Sequence, residues 1–188
     1  MILPETNFKN RKSYWIDNQK LFDNTILRLD RLATESNPVV IGLDVETSIY
    51  LYPPVLALIQ ITTTNSNIII DPFTVDISLF RNILYNKYIT KVIHYANFEK
   101  SIFSQFGWDI INIFDTCIWS RKYYSKKEYP NYKHGLKNVA LRELNMVISK
   151  EQQASDWLKR PLTQEQILYA FLDSELVYEL YFHIKEKD

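Results

Sequence analysis

Four acidic side chains stand where their type and spacing could support metal-dependent chemistry. Asp44 and Glu46 sit one residue apart at the end of the most apolar run of the chain, Val39-Val40-Ile41-Gly42-Leu43. Side chains alternate along a strand with period two, so both carboxylates project from the same side of a sheet. Like charges that close repel unless solvent or a cation lies between them, and hard divalent cations take oxygen ligands. Alone, the pair reads more readily as a solvated strand end, since Asp-x-Glu is short and common. Asp173 follows Tyr169 by four residues in a mainly apolar helical stretch, which makes a phenol and a carboxylate neighbours about 5–6 Å apart at their β-carbons. Glu99 closes His94-Tyr95-Ala96-Asn97-Phe98-Glu99. That segment follows a predicted strand and opens a helix, where an acid is also favoured by the helix dipole. His94 reads as a hydrogen-bonded structural histidine.

The elements that must position these acids follow from periodicity. Residues 16–32 place Leu21, Phe22, Ile26, Leu27 and Leu29 at helical spacing. Strand-like runs follow at 39–45, 55–62 and 67–71, separated by Pro53-Pro54 and Asn65-Ser66-Asn67. Links this short favour an antiparallel meander. The pattern then alternates: a helix at 77–85, a strand at 91–94, a helix at 98–106 and a short strand at 112–114. That predicts an α/β layout with some parallel pairing. Past residue 115 the chain reads as mostly helical. Thr163-Gln164-Glu165-Gln166 fits a capping box, Thr163 as N-cap, opening a long helix that carries Tyr169 and Asp173.

Composition narrows the classes. The chain has 188 residues, 46% hydrophobic and 23% charged, the profile of a globular domain. No apolar run approaches the roughly 20 residues of a membrane helix. The start, Met1-Ile2-Leu3-Pro4-Glu5, lacks the layout of a secretion signal. One cysteine, Cys117, allows no internal disulfide and no cysteine-based zinc site, so a reduced, cytoplasmic setting is expected. Lys+Arg and Asp+Glu both count 22, which argues against a broad grip on long duplexes but not against an enzyme holding a few nucleotides. The three glycines, Gly42, Gly107 and Gly135, build neither a phosphate loop nor a dinucleotide turn, so no nucleotide cofactor is expected. No Gly-x-Ser-x-Gly elbow exists.

Together, Asp-x-Glu, an acid after His-x-Ala-Asn-Phe, and Tyr-x-x-x-Asp resemble the DEDD exonuclease superfamily in its tyrosine-containing (DEDDy) branch. Further segments resemble ribonuclease D: Ser155-Asp156-Trp157-Leu158-Lys159-Arg160-Pro161-Leu162-Thr163 above all, with Leu58-Ile59-Gln60-Ile61, Ile70-Asp71-Pro72, Phe114-Asp115-Thr116, Gly135-Leu136-Lys137 and Glu143-Leu144. The similarity covers residues 39–181. It implies a ribonuclease H-like fold with a central mixed five-stranded sheet flanked by helices and a mostly helical C-terminal part. A single exonuclease domain over residues 1–188 is expected; as a departure from the family, the C-terminal helical RNA-binding domains that ribonuclease D proteins often carry are expected to be absent.

The implied activity is 3′-to-5′ removal of nucleotides from a single-stranded RNA end, as in RNA 3′-end processing, using two divalent ions, Mg²⁺ or Mn²⁺. In-line displacement at a phosphodiester suits two such ions about 3.5–4 Å apart, and such ions suit carboxylates. By the resemblance Asp44 would bridge both ions, Glu46 and Asp173 would complete one, Glu99 would support the other, and Tyr169 would position the attacking water. Glu99 departs from the family, where the third acid is normally aspartate. Two other readings follow: the same catalyst directed at DNA, and an impaired nuclease-like scaffold that binds nucleic acid or protein. For substrate grip, Lys126, Lys127 and Lys133 fall in a basic stretch from Arg121 to Lys137 interleaved with Tyr123, Tyr124, Tyr129 and Tyr132. Such a mixture suits single strands. The alternative is a solvated loop with its tyrosines packed on the core. Thr47, just past Glu46, would contact the terminal nucleotide through its backbone. Trp119 and Trp157 read as core.

Overall fold

A strand absent from the sequence reading opens the described chain. The computed structural model describes residues 11–149 and 151–187; the reading of residues 1–5 lies outside them. Lys12–Ile16 (β1) pairs in parallel with Ser66–Ile70 (β4), from Lys12 opposite Ser66 to Ile16 opposite Ile70. Among the described residues the sheet therefore has six strands, where five were expected. Hydrophobic pattern could not mark β1, because only Ile16 of its five residues is buried. Backbone pairing to a neighbouring strand makes it a strand. Ile16, expected to start the first helix, ends β1 instead.

The first helix, Gln19–Leu32 (α1), starts at Asn18, whose side chain accepts from the Leu21 amide at 3.2 Å. It buries Phe22, Ile26 and Leu29. Val39–Thr47 (β2), Leu56–Thr62 (β3) and β4 form the expected antiparallel meander. A single 3₁₀ turn, Ile77–Leu79, leads into Phe80–Tyr85 (α2). Ile89–Ile93 (β5), Asn97–Ser104 (α3) and Ile113–Asp115 (β6) complete the alternating part, and Thr116–Tyr123 (α4), Leu136–Leu144 (α5) and Gln164–Lys185 (α6) follow. The strand order is β1-β4-β3-β2-β5-β6, with β5 parallel to both β2 and β6.

Alternation along β2 sorts its side chains between two layers. Ile41, Leu43 and Val45 join the core beneath α1 and α2, with Phe22, Phe80 and Phe103. The opposite face carries Gly42, Asp44 and Glu46, and α6 lies against it. At Gly42 the contact is backbone on backbone: a β-carbon there would stand 2.0 Å from the Ser174 carbonyl oxygen. The Thr62 and Ser174 hydroxyls, 2.9 Å apart, lock the same level. α6 buries side chains on most of its circumference, including the polar Asp173, Ser174 and Glu175.

The Ser155–Thr163 string seats the start of α6. Trp157, 1% exposed, packs with Leu58, Ile69 and Phe171, in accord with its reading as core. The Arg160 guanidinium donates to both oxygens of the Asp71 carboxylate at 2.6 and 3.0 Å and to the Ala57 carbonyl at 2.9 Å, tying the segment to the edges of β3 and β4. The expected capping box is present, the Thr163 hydroxyl accepting from the Gln166 amide while the Gln166 side chain returns to the Thr163 amide. Gln166 also donates to the Ser155 hydroxyl at 3.0 Å. At the other end of the chain, Arg11 bridges Glu175 and Glu179 of α6, so β1 is fastened to the same helix.

Candidate active site

β2 and α6 bring distant acids to one point. Carboxylate oxygens of Asp44, Glu46 and Asp173 all lie within 4.8 Å of one another. The close contact at Gly42, two residues before Asp44, sets the distance between strand and helix. A register shift between Glu46 and Thr47 ends the regular pairing of β2 with β3 and re-aims the chain at the cleft. Thr47, 8% exposed, lines that cleft.

Glu99 lines the same cleft from the first turn of α3 but falls outside the 4.8 Å group. It is 2% exposed, and its Oε2 has no hydrogen-bond partner among the described residues. Burial, with the nearby Asp115 carboxylate adding to it, pushes the Glu99 carboxyl up to about 8. Asp44 is driven well above the carboxylate range by burial and then by Asp173 and Glu99; Glu46 is driven the same way, by burial, Asp44, Asp173 and Glu99. Carboxyls in such a cluster hold protons unless positive charge joins them. An all-oxygen donor set with an orphaned carboxylate oxygen, and neither thiolate nor imidazole within the group, fits a hard divalent cation. Tyr169 hydrogen-bonds Asp173, and burial followed by the Asp173 charge raises the phenol above its usual range.

His94 is hydrogen-bonded, its Nδ1 lying 2.8 Å from the Thr116 hydroxyl. Burial, outweighing the pull of Asp115, pushes it down to about 4, so it is neutral at pH 7. It lines the cleft as part of the frame between β5 and α4.

The cleft, about 730 Å³, has a second chemical character away from the acids, where Arg121, His134 and Lys137 line it. Arg121 stands in the last turn of α4 and Lys137 in the first turn of α5. Lys126, Lys127 and Lys133 are exposed on the connection between those helices and do not line the cleft. The tyrosines of that connection pack on one another. Tyr124 sits 5.2 Å from both Tyr129 and Tyr132 between ring centroids, and the Arg142 guanidinium lies 4.3 Å over Tyr124. Trp119 stacks on Tyr123 at 5.0 Å. The sequence reading missed His134, and it carried Gln60 only as part of Leu58-Ile59-Gln60-Ile61. Gln60 pairs across the strands with Asp44 and is fully buried, with neither amide atom partnered among the described residues. His134 could be found only once the α4–α5 connection was known, and the place of Gln60 opposite Asp44 only once the strand register was known.

A mixed sheet with a carboxylate cluster at the end of its central strand, closed by a helix bearing the last acid, is the arrangement of the ribonuclease H-like fold and the DEDD superfamily. The chain belongs to the 3′-5′ exonuclease family, whose model matches residues 13–187. It is 32% identical over 136 residues to ribonuclease D of Shewanella sp. (strain ANA-3), covering 70% of this chain and 33% of that protein. It is 30% identical over 139 residues to the exosome complex component 10 homolog of Caenorhabditis elegans, covering 72% of this chain and 15% of that protein. The crystal structure of Escherichia coli RNase D superposes with a TM-score of 0.76 at 23% identity, over 93% of this chain and 46% of that one, a likeness of fold. The chain thus spans a third or less of these two curated relatives. Among the described residues no helix is long and apolar enough to cross a membrane.

Proposed function

We propose that this domain is a metal-dependent 3′-to-5′ exoribonuclease of the tyrosine-containing branch, acting on single-stranded RNA ends. The observation that carries the reading is the meeting of Asp44, Glu46 and Asp173 within 4.8 Å, with Tyr169 hydrogen-bonded to Asp173. Asp44, Glu46, Asp173 and Glu99 would hold two divalent ions, Mg²⁺ or Mn²⁺. When bound, such ions neutralise phosphate charge and make water a usable nucleophile near neutral pH. Tyr169 is a poor proton acceptor, since a free phenol titrates at about 10 and burial raises this one further. Its role is to orient the attacking water while Asp173 fixes the hydroxyl. RNA is preferred over DNA because several curated relatives, that of Shewanella among them, carry the name ribonuclease D.

The walls of the cleft suit the parts of a strand. Arg121, His134 and Lys137 face phosphates beyond the scissile bond, and Thr47 lies beside the terminal nucleotide. Half-exposed Tyr95 and Phe98 offer faces to a base. Lys126, Lys127 and Lys133 extend the same positive potential outward.

The test is incubation of end-labelled single-stranded RNA and DNA with Mg²⁺ or Mn²⁺, with Asp44→Ala as control. Stepwise shortening of RNA from its 3′ end is expected. Shortening of DNA alone would redirect the enzyme to DNA. A gel shift without shortening would make it a binding scaffold, with Glu99 as the suspect residue.

Two variants separate roles. Tyr169→Phe should slow single-turnover cleavage by about 10–100-fold while Mn²⁺ affinity, read by calorimetry, stays within about 2-fold; an unchanged rate would remove Tyr169 from the chemistry. The double variant Arg121→Ala/Lys137→Ala should raise KM about 10-fold and flatten its salt dependence, with kcat nearly constant. Lys126→Ala/Lys127→Ala should move KM less, since those lysines stand outside the cleft. Equal effects from the two pairs would refute the assignment of the cleft wall.

A further inference from the structure

Asp115 accepts more hydrogen bonds than a helix cap requires. As N-cap of α4, its Oδ1 takes the amides of Cys117 at 2.8 Å and Ile118 at 3.1 Å. The same carboxylate reaches back across the sheet to the turn after β5. Oδ1 also takes the Tyr95 amide at 3.2 Å, and Oδ2 the Ala96 amide at 2.9 Å. Pairing of β6 with β5 makes this possible, since Asp115 stands opposite Ile93 in the parallel register.

The turn it grips launches α3, and so Glu99. Tyr95 has a left-handed φ of 69°. A bulky residue in that region costs of order 1–3 kcal/mol and persists only where its surroundings hold it. α3 has no side-chain cap of its own at Ala96. Its start is fixed instead by Asp115, which removes two donors from solvent and holds the strained residue in place. Serine, threonine or asparagine caps a helix about as well as aspartate. Four amides, however, need two acceptor oxygens with lone pairs to spare, which only a carboxylate supplies.

We propose that Asp115 is a positioning residue for the candidate active site, fixing the α3 turn so that the Glu99 carboxylate is aimed into the cleft. This rests on the reading of Glu99 as one of the four functional acids. Asp115 does not line the cleft. It acts through the Tyr95–Ala96 backbone, and it explains why Phe114-Asp115-Thr116 stands out in the sequence though none of the three belongs to the acid set.

Asp115→Ser separates the two jobs, because a serine hydroxyl still caps α4 but cannot span to Tyr95 and Ala96. The full chain carrying Asp115→Ser should melt as one cooperative unit. Its Tyr95 and Ala96 amides should exchange with deuterium at least about 10-fold faster, and both the single-turnover rate and the affinity for the weaker Mn²⁺ should fall about 10–100-fold. Asp115→Asn, which keeps one of the two oxygens, should lose less. In a Glu99→Ala background, Asp115→Ser should change the rate by less than about 2-fold, since the group it aims is already gone. A wild-type rate and Mn²⁺ affinity in Asp115→Ser, or a full additional loss in the Glu99→Ala background, would overturn the proposal. If the unmodified protein cut neither RNA nor DNA, the nuclease reading would fall by itself. The amide exchange and the Mn²⁺ titration would still decide whether Asp115 places Glu99.

Discussion

Gly42→Ala should lower the unfolding free energy by about 3 kcal/mol and single-turnover cleavage by about 100-fold. Local propensity argues the other way. Alanine in a strand interior is favoured over glycine by roughly 0.5–1 kcal/mol, through the smaller backbone entropy it loses. Packing decides the sign. The new β-carbon would stand 2.0 Å from the Ser174 carbonyl oxygen and 3.0 Å from the Tyr178 β-carbon. A carbonyl within a helix cannot rotate aside as a side-chain tip can, so α6 must move as a body. That shift moves Asp173 away from Asp44 and breaks the 2.9 Å contact between the Thr62 and Ser174 hydroxyls. Urea unfolding and rapid-quench cleavage read the two effects separately. Gly135→Ala is the control, because a β-carbon there meets only the Asn138 side-chain nitrogen at an ordinary 3.6 Å. A Gly42→Ala protein as stable and as active as the parent would mean that the strand–helix contact does not set the site.

The acids were legible in the sequence because each stands at a place that local pattern announces. Asp44 and Glu46 end an apolar run, Glu99 opens a helix after a strand, and Tyr169 and Asp173 are one helical turn apart behind a capping box. The antiparallel meander was legible too, from the short links between β2, β3 and β4. β1 was not, since pattern reports burial and this strand owes its place to backbone pairing with β4. Nor could periodicity separate the cations of the 121–137 segment. Arg121 and Lys137 face the cleft because they sit on α4 and α5, while Lys126, Lys127 and Lys133 lie on the connection. The Ser155–Thr163 string carried the resemblance most strongly. Its Trp157 and Arg160 fasten α6 to the sheet, and the Trp157 ring packs 6.1 Å from that of Tyr169. Asp115 was visible as part of a motif, but its second pair of amides depends on the β5–β6 register.

Asp44→Asn should make the metal-free protein more stable at pH 8, by about 1 kcal/mol, and abolish its function. Its folded-state carboxyl is raised by burial and by the charges of Asp173 and Glu99, and Glu99 itself is pushed up to about 8. A group whose folded pKa exceeds its unfolded value contributes stability that is complete below the unfolded value, near 4. That contribution is lost as pH rises through the folded value. The metal-free wild type should therefore lose stability between about pH 4 and pH 8, and the asparagine variant should lose less. Titrations elsewhere cancel in the difference between the two curves. Mn²⁺ reverses the slope for the wild type by supplying the missing positive charge. At 100 times its dissociation constant, a ligand specific for the folded state adds about 2.7 kcal/mol. The variant should show little of that gain, and its cleavage rate should fall at least about 1,000-fold, the equivalent of roughly 4 kcal/mol of transition-state stabilisation. Melting curves across pH with and without Mn²⁺, beside single-turnover rates, test each part. A variant less stable than the wild type at pH 8 without metal would mean that Asp44 is held by favourable contacts, not by repulsion awaiting a cation. An unaltered Mn²⁺ gain would remove Asp44 from the metal centre.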